Sequence, residues 1–166
     1  MAEIRETTAI TERRRGREYA LQLLFQLDLS PDTTDAAVEG FWKGKKVKES
    51  IADFASRLVR GAMRRRDWID GVLGAISHHW RVSRMAVVDR NILRLALYEM
   101  IFEVETPPIV IINEAIEIAK KFGNEESGPF INGILDAVRL RIERGEIALP
   151  PAGEDSDPPA RIRSSA

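Results

Sequence analysis

Apolar residues recur every three or four positions along most of the chain, the spacing typical of α-helices with one buried face. A first helix is predicted from an N-cap at Thr11 to about residue 29, where Ser30-Pro31 stops it. A short helix follows at about 33–42, and a long helical pattern extends from about 47 to 78. Glycines within the long pattern indicate a bend or close helix packing rather than one continuous rod.

The most apolar helical pattern lies at about 84–102, after a capping residue at Ser83. A helix that is apolar nearly all round belongs at the centre of a bundle. The run "IVII" at 109–112 would suit a strand by itself, but the apolar spacing beyond it predicts a helix with Gly123 at its C-cap. A last helix is predicted at about 127–144, so the expected fold is all-α, a bundle of about six or seven helices.

Composition divides the chain into three segments. Residues 1–10 are polar and are expected to form a flexible N-terminus. Residues 11–148 are expected to form one all-helical domain, and the full chain of 166 residues is long enough for a sizeable core. Residues 149–166 are rich in proline, serine and acidic residues and are predicted to form a disordered tail.

The composition also excludes several classes of protein. The chain contains no cysteine, so it has neither disulfides nor thiolate metal sites. No apolar run reaches the ~18 residues of a membrane span, and the N-terminus lacks the apolar segment of a signal peptide. We therefore expect a cytoplasmic protein that does not associate with membranes.

Motifs that carry catalysis are missing from the sequence. It has no glycine-rich phosphate loop, no G-x-S-x-G and no H-E-x-x-H, and its two histidines are adjacent. The acidic positions in the second half are expected to lie on solvated helix faces: Glu114, Glu117, Glu125 and Glu126. The chain is therefore predicted not to be an enzyme, and no metal site is expected.

Four arginines lie close together near the start of the first predicted helix: Arg13, Arg14, Arg15 and Arg17. In the first turn of a helix each cation costs ~0.3–1 kcal/mol, because that end of the helix dipole is positive. A bound phosphate reverses this cost, since the dipole and the guanidinium groups then both attract the ligand. The cluster therefore predicts nucleic-acid binding, and Gly16 within it suggests a turn that is loose until a ligand binds. The alternative is a solvated, slightly repulsive helix end.

Other basic residues give weaker signals. Arg64-Arg65-Arg66 is expected to be a solvated face, with Arg66 pairing with Asp70 four residues on. Arg94 lies on the most apolar helix with Tyr98 one turn further along. It is either neutralised internally, by Asp89 or another carboxylate, or placed at the edge of a groove where it and Tyr98 would contact RNA.

Three blocks of the sequence resemble the NusB family of bacterial transcription antitermination factors: "RRRGREYALQLLFQLD", "VVDRNILRLALYEM" and "INEAIEIAKKFGNEESGPFINGILD". Together they span about residues 13–138 in the family's order. The resemblance implies an all-α fold of two packed helical halves without a cofactor. It also implies that the protein binds BoxA RNA in nascent transcripts together with NusE, a small-subunit ribosomal protein, within an RNA polymerase complex that contains other Nus factors and supports transcription of ribosomal RNA operons.

The resemblance also assigns functional residues. RNA binding is implied for the four clustered arginines and for Arg94, and binding of the partner protein for Asp89 and Glu126. Four signature positions are expected to be structural: Asn113, Glu114, Asn132 and Asp136. Gly16 departs from the family's usual alanine, and Gly128-Pro129 replaces residues that are commonly polar or basic.

Two alternative functions stay open at this point. The chain could be an RNA-binding module related to the NusB-like domains of ribosomal RNA cytosine methyltransferases. It could also be an interaction module that forms a homodimer through contacts covering the arginine motif. The antitermination function is the leading prediction.

Overall fold

The computed structural model describes residues 1–78, 80–103 and 105–147 of the chain. Over these residues the fold contains seven α-helices, one 3-10 turn and no strand, which confirms the all-α prediction. The helices are α1 (Ala2–Leu29), α2 (Thr34–Trp42), α3 (Glu49–Arg64), α4 (Arg66–Ile76), α5 (Val87–Phe102), α6 (Pro108–Phe122) and α7 (Ser127–Glu143). The predicted disordered tail, 149–166, lies outside the described residues.

The chain forms two compact units, in agreement with the two helical halves that were expected. The first unit is Met1–Arg64, in which α1 packs against α2 and α3. Its core consists of aliphatic and aromatic side chains from all three helices, among them Leu23, Leu24, Val38, Phe54 and Leu58.

The predicted start of the first helix at Thr11 was wrong, because α1 begins at Ala2. Residues 2–10 contain no proline or glycine to interrupt a helix. The hydroxyls of Thr7 and Thr11 donate to the carbonyl oxygens four residues back, each over 2.9 Å, so Thr11 lies inside the helix and does not cap it. Residues 1–10 are therefore helical from Ala2 rather than an irregular terminus, although all of them are exposed.

The second unit begins at Arg65 and is arranged around α5. Every residue of α5 from Asn91 to Ile101 is buried, as expected for a central helix. It packs against α4, α6 and α7. The segment at 109–112 belongs to α6, with Pro108 in the first turn and Gly123 as the C-cap, which confirms the helical prediction there.

Two predicted boundaries in the middle of the chain differ from the structure. The long helical pattern is divided at Arg65 into α3 and α4, whereas the glycines inside it do not break either helix. Ser83 lies within the 3-10 turn Val82–Arg84, and α5 begins three residues after that turn, at Val87. Within the described part of the chain, no helix combines the length and apolar character that crossing a membrane requires.

Candidate functional site

The arginine segment Arg13–Arg17 lies well inside α1, more than two turns beyond the first helical residue. The helix dipole therefore exerts little force on these arginines, since its effect falls off within the first turn. The premise that they occupy the positive end of a helix was wrong because residues 2–10 extend α1. The four arginines nevertheless form a dense group of cations on one helix.

Three guanidinium groups surround the ring of Phe54 on α3. The Cζ atoms of Arg13, Arg17 and Arg57 lie 5.0, 5.5 and 5.5 Å from the ring centroid, within the range of cation–π attraction. Arg13 and Arg17 are one turn apart on α1, whereas Arg57 belongs to α3. Two helices thus contribute to one basic cluster, which we call the Phe54 cluster.

Gly16 permits the close approach of α1 and α3 at this cluster. A Cβ atom at Gly16 would lie 2.7 Å from Cδ1 of Phe54, closer than real side chains come. The expectation that Gly16 leaves a loose turn was therefore wrong, because Gly16 is buried in a regular helix. Phe54 occupies the space that a side chain at this position would fill.

The four predicted arginines differ in accessibility. Arg17 is only 5% exposed, so its side chain takes part in packing as well as carrying a charge. Arg13 and Arg14 are half-buried, and Arg15 is exposed, with Nη2 3.4 Å from the Tyr19 hydroxyl. Arg15 therefore presents the most accessible guanidinium of the segment.

Arg94 is neutralised internally, which was one of the two alternatives left open by the sequence. Its Nε and Nη2 donate to the two carboxylate oxygens of Asp70 over 2.8 Å each, and Nη1 donates to Asn91 over 3.2 Å. The predicted Arg66–Asp70 pair is not formed, because Asp70 binds Arg94 and Arg66 lies 3.8 Å from Asp67. Direct RNA binding by Arg94 stays a prediction.

Asp89 and Glu126, the two predicted partner-binding residues, line one cavity of about 210 Å³ in the second unit. Asp89 is only 8% exposed, and its Oδ1 atom has no hydrogen-bond partner among the described residues. A buried carboxylate oxygen without a donor is unfavourable in the free protein. The cavity can therefore accept a hydrogen-bond donor, and a cation would satisfy it best.

The turn between α6 and α7 holds Glu126 in the lining of this cavity. The backbone N–H of Glu126 donates to Oδ1 of Asn124 over 2.9 Å, and that of Asn124 donates to Oγ of Ser127 over 3.1 Å. A Cβ at Gly123 would lie 2.5 Å from Oγ of Ser127, so only glycine fits here. The "FGNEES" run thus encodes a compact turn.

Sequence reasoning missed several residues at these two sites. Arg57 joins the Phe54 cluster from a different helix, and Trp80 lines the Asp89 cavity while 58% exposed. The ring of Trp80 packs edge-on against Phe130 at 6.3 Å between centroids. The sequence shows a tryptophan at position 80, but neither its exposure nor its proximity to Asp89 follows without the fold. Among the described residues no three histidine, aspartate or glutamate side chains group as a metal site.

The fold is that of a small all-α protein, with a basic helix in the first unit and a cavity lined by two carboxylates in the second. The chain belongs to the NusB family, whose sequence profile matches residues 14–139. The transcription antitermination protein NusB of Anaeromyxobacter dehalogenans is 45% identical over 143 residues, which are 86% of this chain and 95% of that protein.

Solved structures show the same fold. NusB of T. maritima is 38% identical and superposes with a TM-score of 0.72 over 77% of this chain and 90% of that one. A chain in the crystal structure of antitermination factors NusB and NusE in complex with double-stranded RNA gives a TM-score of 0.69 at 28% identity, over 78% of this chain and 97% of that one.

Proposed function

We propose that the protein is a transcription antitermination factor that binds BoxA RNA together with NusE. In this role it joins RNA polymerase and other Nus factors in the cytoplasm and supports transcription of ribosomal RNA operons without catalysing a reaction. The antitermination relatives support this proposal, as does a structural neighbour that contains NusE and RNA. These similarities favour the antitermination function over the alternative of an RNA-binding module related to ribosomal RNA methyltransferases.

The observation that carries the proposal is the Phe54 cluster beside the rest of the arginine segment. Three guanidinium carbons lie within 5.5 Å of one point, so no two of them are more than about 11 Å apart. That separation is comparable to the screening length of ~8 Å at physiological salt, so the potential of the three charges adds. A polyanion that follows α1 would be attracted by this potential and would release its own counterions.

The test is RNA binding by single arginine variants at several salt concentrations. Arg15→Ala and Arg13→Ala should each weaken binding of a labelled BoxA RNA and reduce the log–log salt slope by about 0.7 per lost phosphate contact of single-stranded RNA. Arg144→Ala removes an exposed arginine from the second unit and serves as the matched control. Unchanged slopes in both α1 variants would refute the assignment of these arginines to RNA.

Arg17 and Arg94 need a separate reading because both are buried. Their replacement changes packing as well as charge, so affinity alone does not reveal a direct contact. Loss of a direct phosphate contact lowers the salt slope, whereas loss of a purely structural contribution lowers stability and leaves the slope unchanged. Arg17→Gln and Arg94→Gln remove the charge, and measuring each by salt-dependent binding and by urea unfolding separates the two effects.

We also propose that the Asp89 cavity receives a basic side chain of NusE. The support is the buried Oδ1 atom of Asp89, which lacks a donor among the described residues, in a cavity that the carboxylate of Glu126 also lines. Arg84 lines the same cavity, so an incoming basic side chain would lie near its positive charge. Self-association through the arginine surface stays a prediction, which light scattering with and without RNA would test.

A further inference from the structure

We propose that the loop 43–48, together with the rings of Tyr19 and Trp42, is a second contact surface for single-stranded RNA beside the arginine segment. On this surface the loop lysines bind phosphates and Trp42 stacks on an unpaired base. The inference rests on the proposed RNA-binding function and extends it to residues outside the arginine motif.

The loop runs alongside the arginine segment because both of its ends are held against α1. At one end, the Trp42 ring packs edge-on against Tyr19 with 5.4 Å between centroids. At the other end, Nζ of Lys48 lies 2.7 Å from Oε1 of Glu12. Glu12 and Tyr19 are about two helical turns apart, and the arginine segment lies between them.

Trp42 is held in place in a way that suits stacking. Its indole N–H donates to Oγ of Ser56 over 2.8 Å, so the polar atom is satisfied inside the protein. The ring also packs edge-on against Phe41 at 4.8 Å, and the side chain remains half-buried rather than enclosed. An aromatic ring already fixed in position loses little conformational entropy when a base stacks on it.

The loop lysines divide into two that stabilise the protein and two that remain available. Lys48 pairs with Glu12, and Nζ of Lys45 donates to the Phe41 carbonyl over 2.9 Å and lies 4.0 Å from the ring centroid. Lys43 and Lys46 are exposed and make no such contact within the described residues. These two ammonium groups are the expected phosphate ligands.

The chemistry of this surface favours RNA over an acidic protein segment. Half-exposed aromatic rings between cations match the alternation of bases and phosphates in a single strand. Gly44 has φ +76°, a conformation that favours glycine, and it turns the chain directly after α2 so that Lys43 and Lys46 lie on a short loop. The surface is also continuous with the arginine segment, so one strand could contact both.

The first experiment follows the fluorescence of Trp42 in the full chain. In a Trp68→Phe, Trp80→Phe variant Trp42 is the single tryptophan, and both replacements lie in the second unit and keep an aromatic ring. Titration with BoxA RNA, without NusE, should quench this fluorescence in step with binding measured by anisotropy. Full binding without quenching would overturn the stacking contact. The experiment leaves Trp42 itself unchanged.

The second experiment compares affinity and salt slope. A Lys43→Ala, Lys46→Ala variant should lower the slope by about 1.4, the value for two phosphate contacts, while Lys120→Ala, an exposed lysine of the second unit, should not. Trp42→Leu should weaken binding at least about 5-fold with an unchanged slope, because stacking is not ionic. Thermal melts confirm that each variant is folded.

The outcomes separate this inference from the proposed function. If the unaltered protein binds no RNA, with or without NusE, the proposed function fails and the inference fails with it. If Arg15→Ala weakens binding but the lysine and Trp42 variants do not, only the second surface is refuted. Weaker NusE binding by the Lys43→Ala, Lys46→Ala variant at unchanged RNA binding would assign the loop to the partner protein and would also overturn the inference.

Discussion

The pair between Arg94 and Asp70 shows how a single charged residue is accommodated in an apolar helix. We expect Asp70→Asn to lower the free energy of unfolding by about 2 kcal/mol. Breaking a buried pair costs ~3–5 kcal/mol, and the Asp70 side chain keeps 26% exposure, which reduces that cost. Urea unfolding measures the change.

A matched replacement is available on the surface of the same unit. Asp136 pairs with Arg139 over 2.8 Å, but its side chain is 47% exposed. Asp136→Asn should therefore cost less than about 1 kcal/mol. Equal losses in the two variants would mean that solvent screens the Arg94–Asp70 pair as strongly as a surface pair.

Gly16 gives a second prediction at the scale of a residue. Gly16→Ala gains ~1 kcal/mol of helix propensity but forces Phe54 away from α1, and overpacking of this kind costs ~1–3 kcal/mol. We expect a net loss of about 1 kcal/mol in thermal or urea unfolding. In a Phe54→Leu background the same change should cost less or stabilise the protein, since the smaller side chain leaves room for the new methyl group.

Failure of that rescue would show that the contact with Phe54 is not what excludes alanine. The remaining neighbour would then be the carbonyl oxygen of Ile51, which lies 3.5 Å from the position of the added Cβ. The four single and double variants form a thermodynamic cycle, so the coupling between Gly16 and Phe54 is measured directly.

At the scale of elements, the turn between α6 and α7 is specified by close packing. Gly123→Ala should lower the unfolding free energy by about 1–3 kcal/mol, because the new Cβ would meet Ser127 and also the Ala119 carbonyl oxygen at 2.9 Å. Gly133→Ala in the middle of α7 meets nothing within 4 Å and should stabilise by up to about 1 kcal/mol. Opposite signs in thermal melts would confirm the difference, and two stabilising changes would contradict it.

Helices α6 and α7 were predictable because their local signals agree. Pro108 begins α6, Gly123 ends it and the apolar spacing continues throughout. The start of α1 was not predictable in this way, since Thr11 is a good cap by residue type, yet its hydroxyl bonds backward along a longer helix. Residue type thus identifies a competent cap without showing whether the helix begins there.

At the scale of the molecule, the sequence identified the charged positions but not most of their neighbours. Arg13 and Arg17 were visible as a run of arginines, whereas Arg57 joins them only because α3 packs against α1. Asp89 and Glu126 were implied by resemblance to the family, and the cavity that they line depends on packing between segments distant in sequence. Contacts of this kind follow from tertiary structure and leave no local pattern.

The two proposed surfaces lie in different units, so their functions should be separable by substitution. Asp89→Asn keeps the size of the side chain but removes its charge, and should weaken NusE binding at least about tenfold while leaving the RNA salt slope unchanged. Arg15→Ala should reduce RNA binding and its salt slope. Its affinity for NusE, measured in the absence of RNA, should be unchanged. Calorimetry with NusE and fluorescence anisotropy with RNA measure the two effects.

Glu125→Gln removes a charge from the same turn as Glu126 but outside the Asp89 cavity, and it serves as the control for partner binding. The stability of Asp89→Asn should change by less than about 1 kcal/mol. Relief of a buried charge without a donor favours the variant, while loss of a favourable charge in the first turn of α5 opposes it. Weaker NusE binding at unchanged stability would identify Asp89 as a residue that acts in partner binding and not in folding. Equal effects of Asp89→Asn and Glu125→Gln would instead indicate a general attraction between an acidic turn and a basic protein.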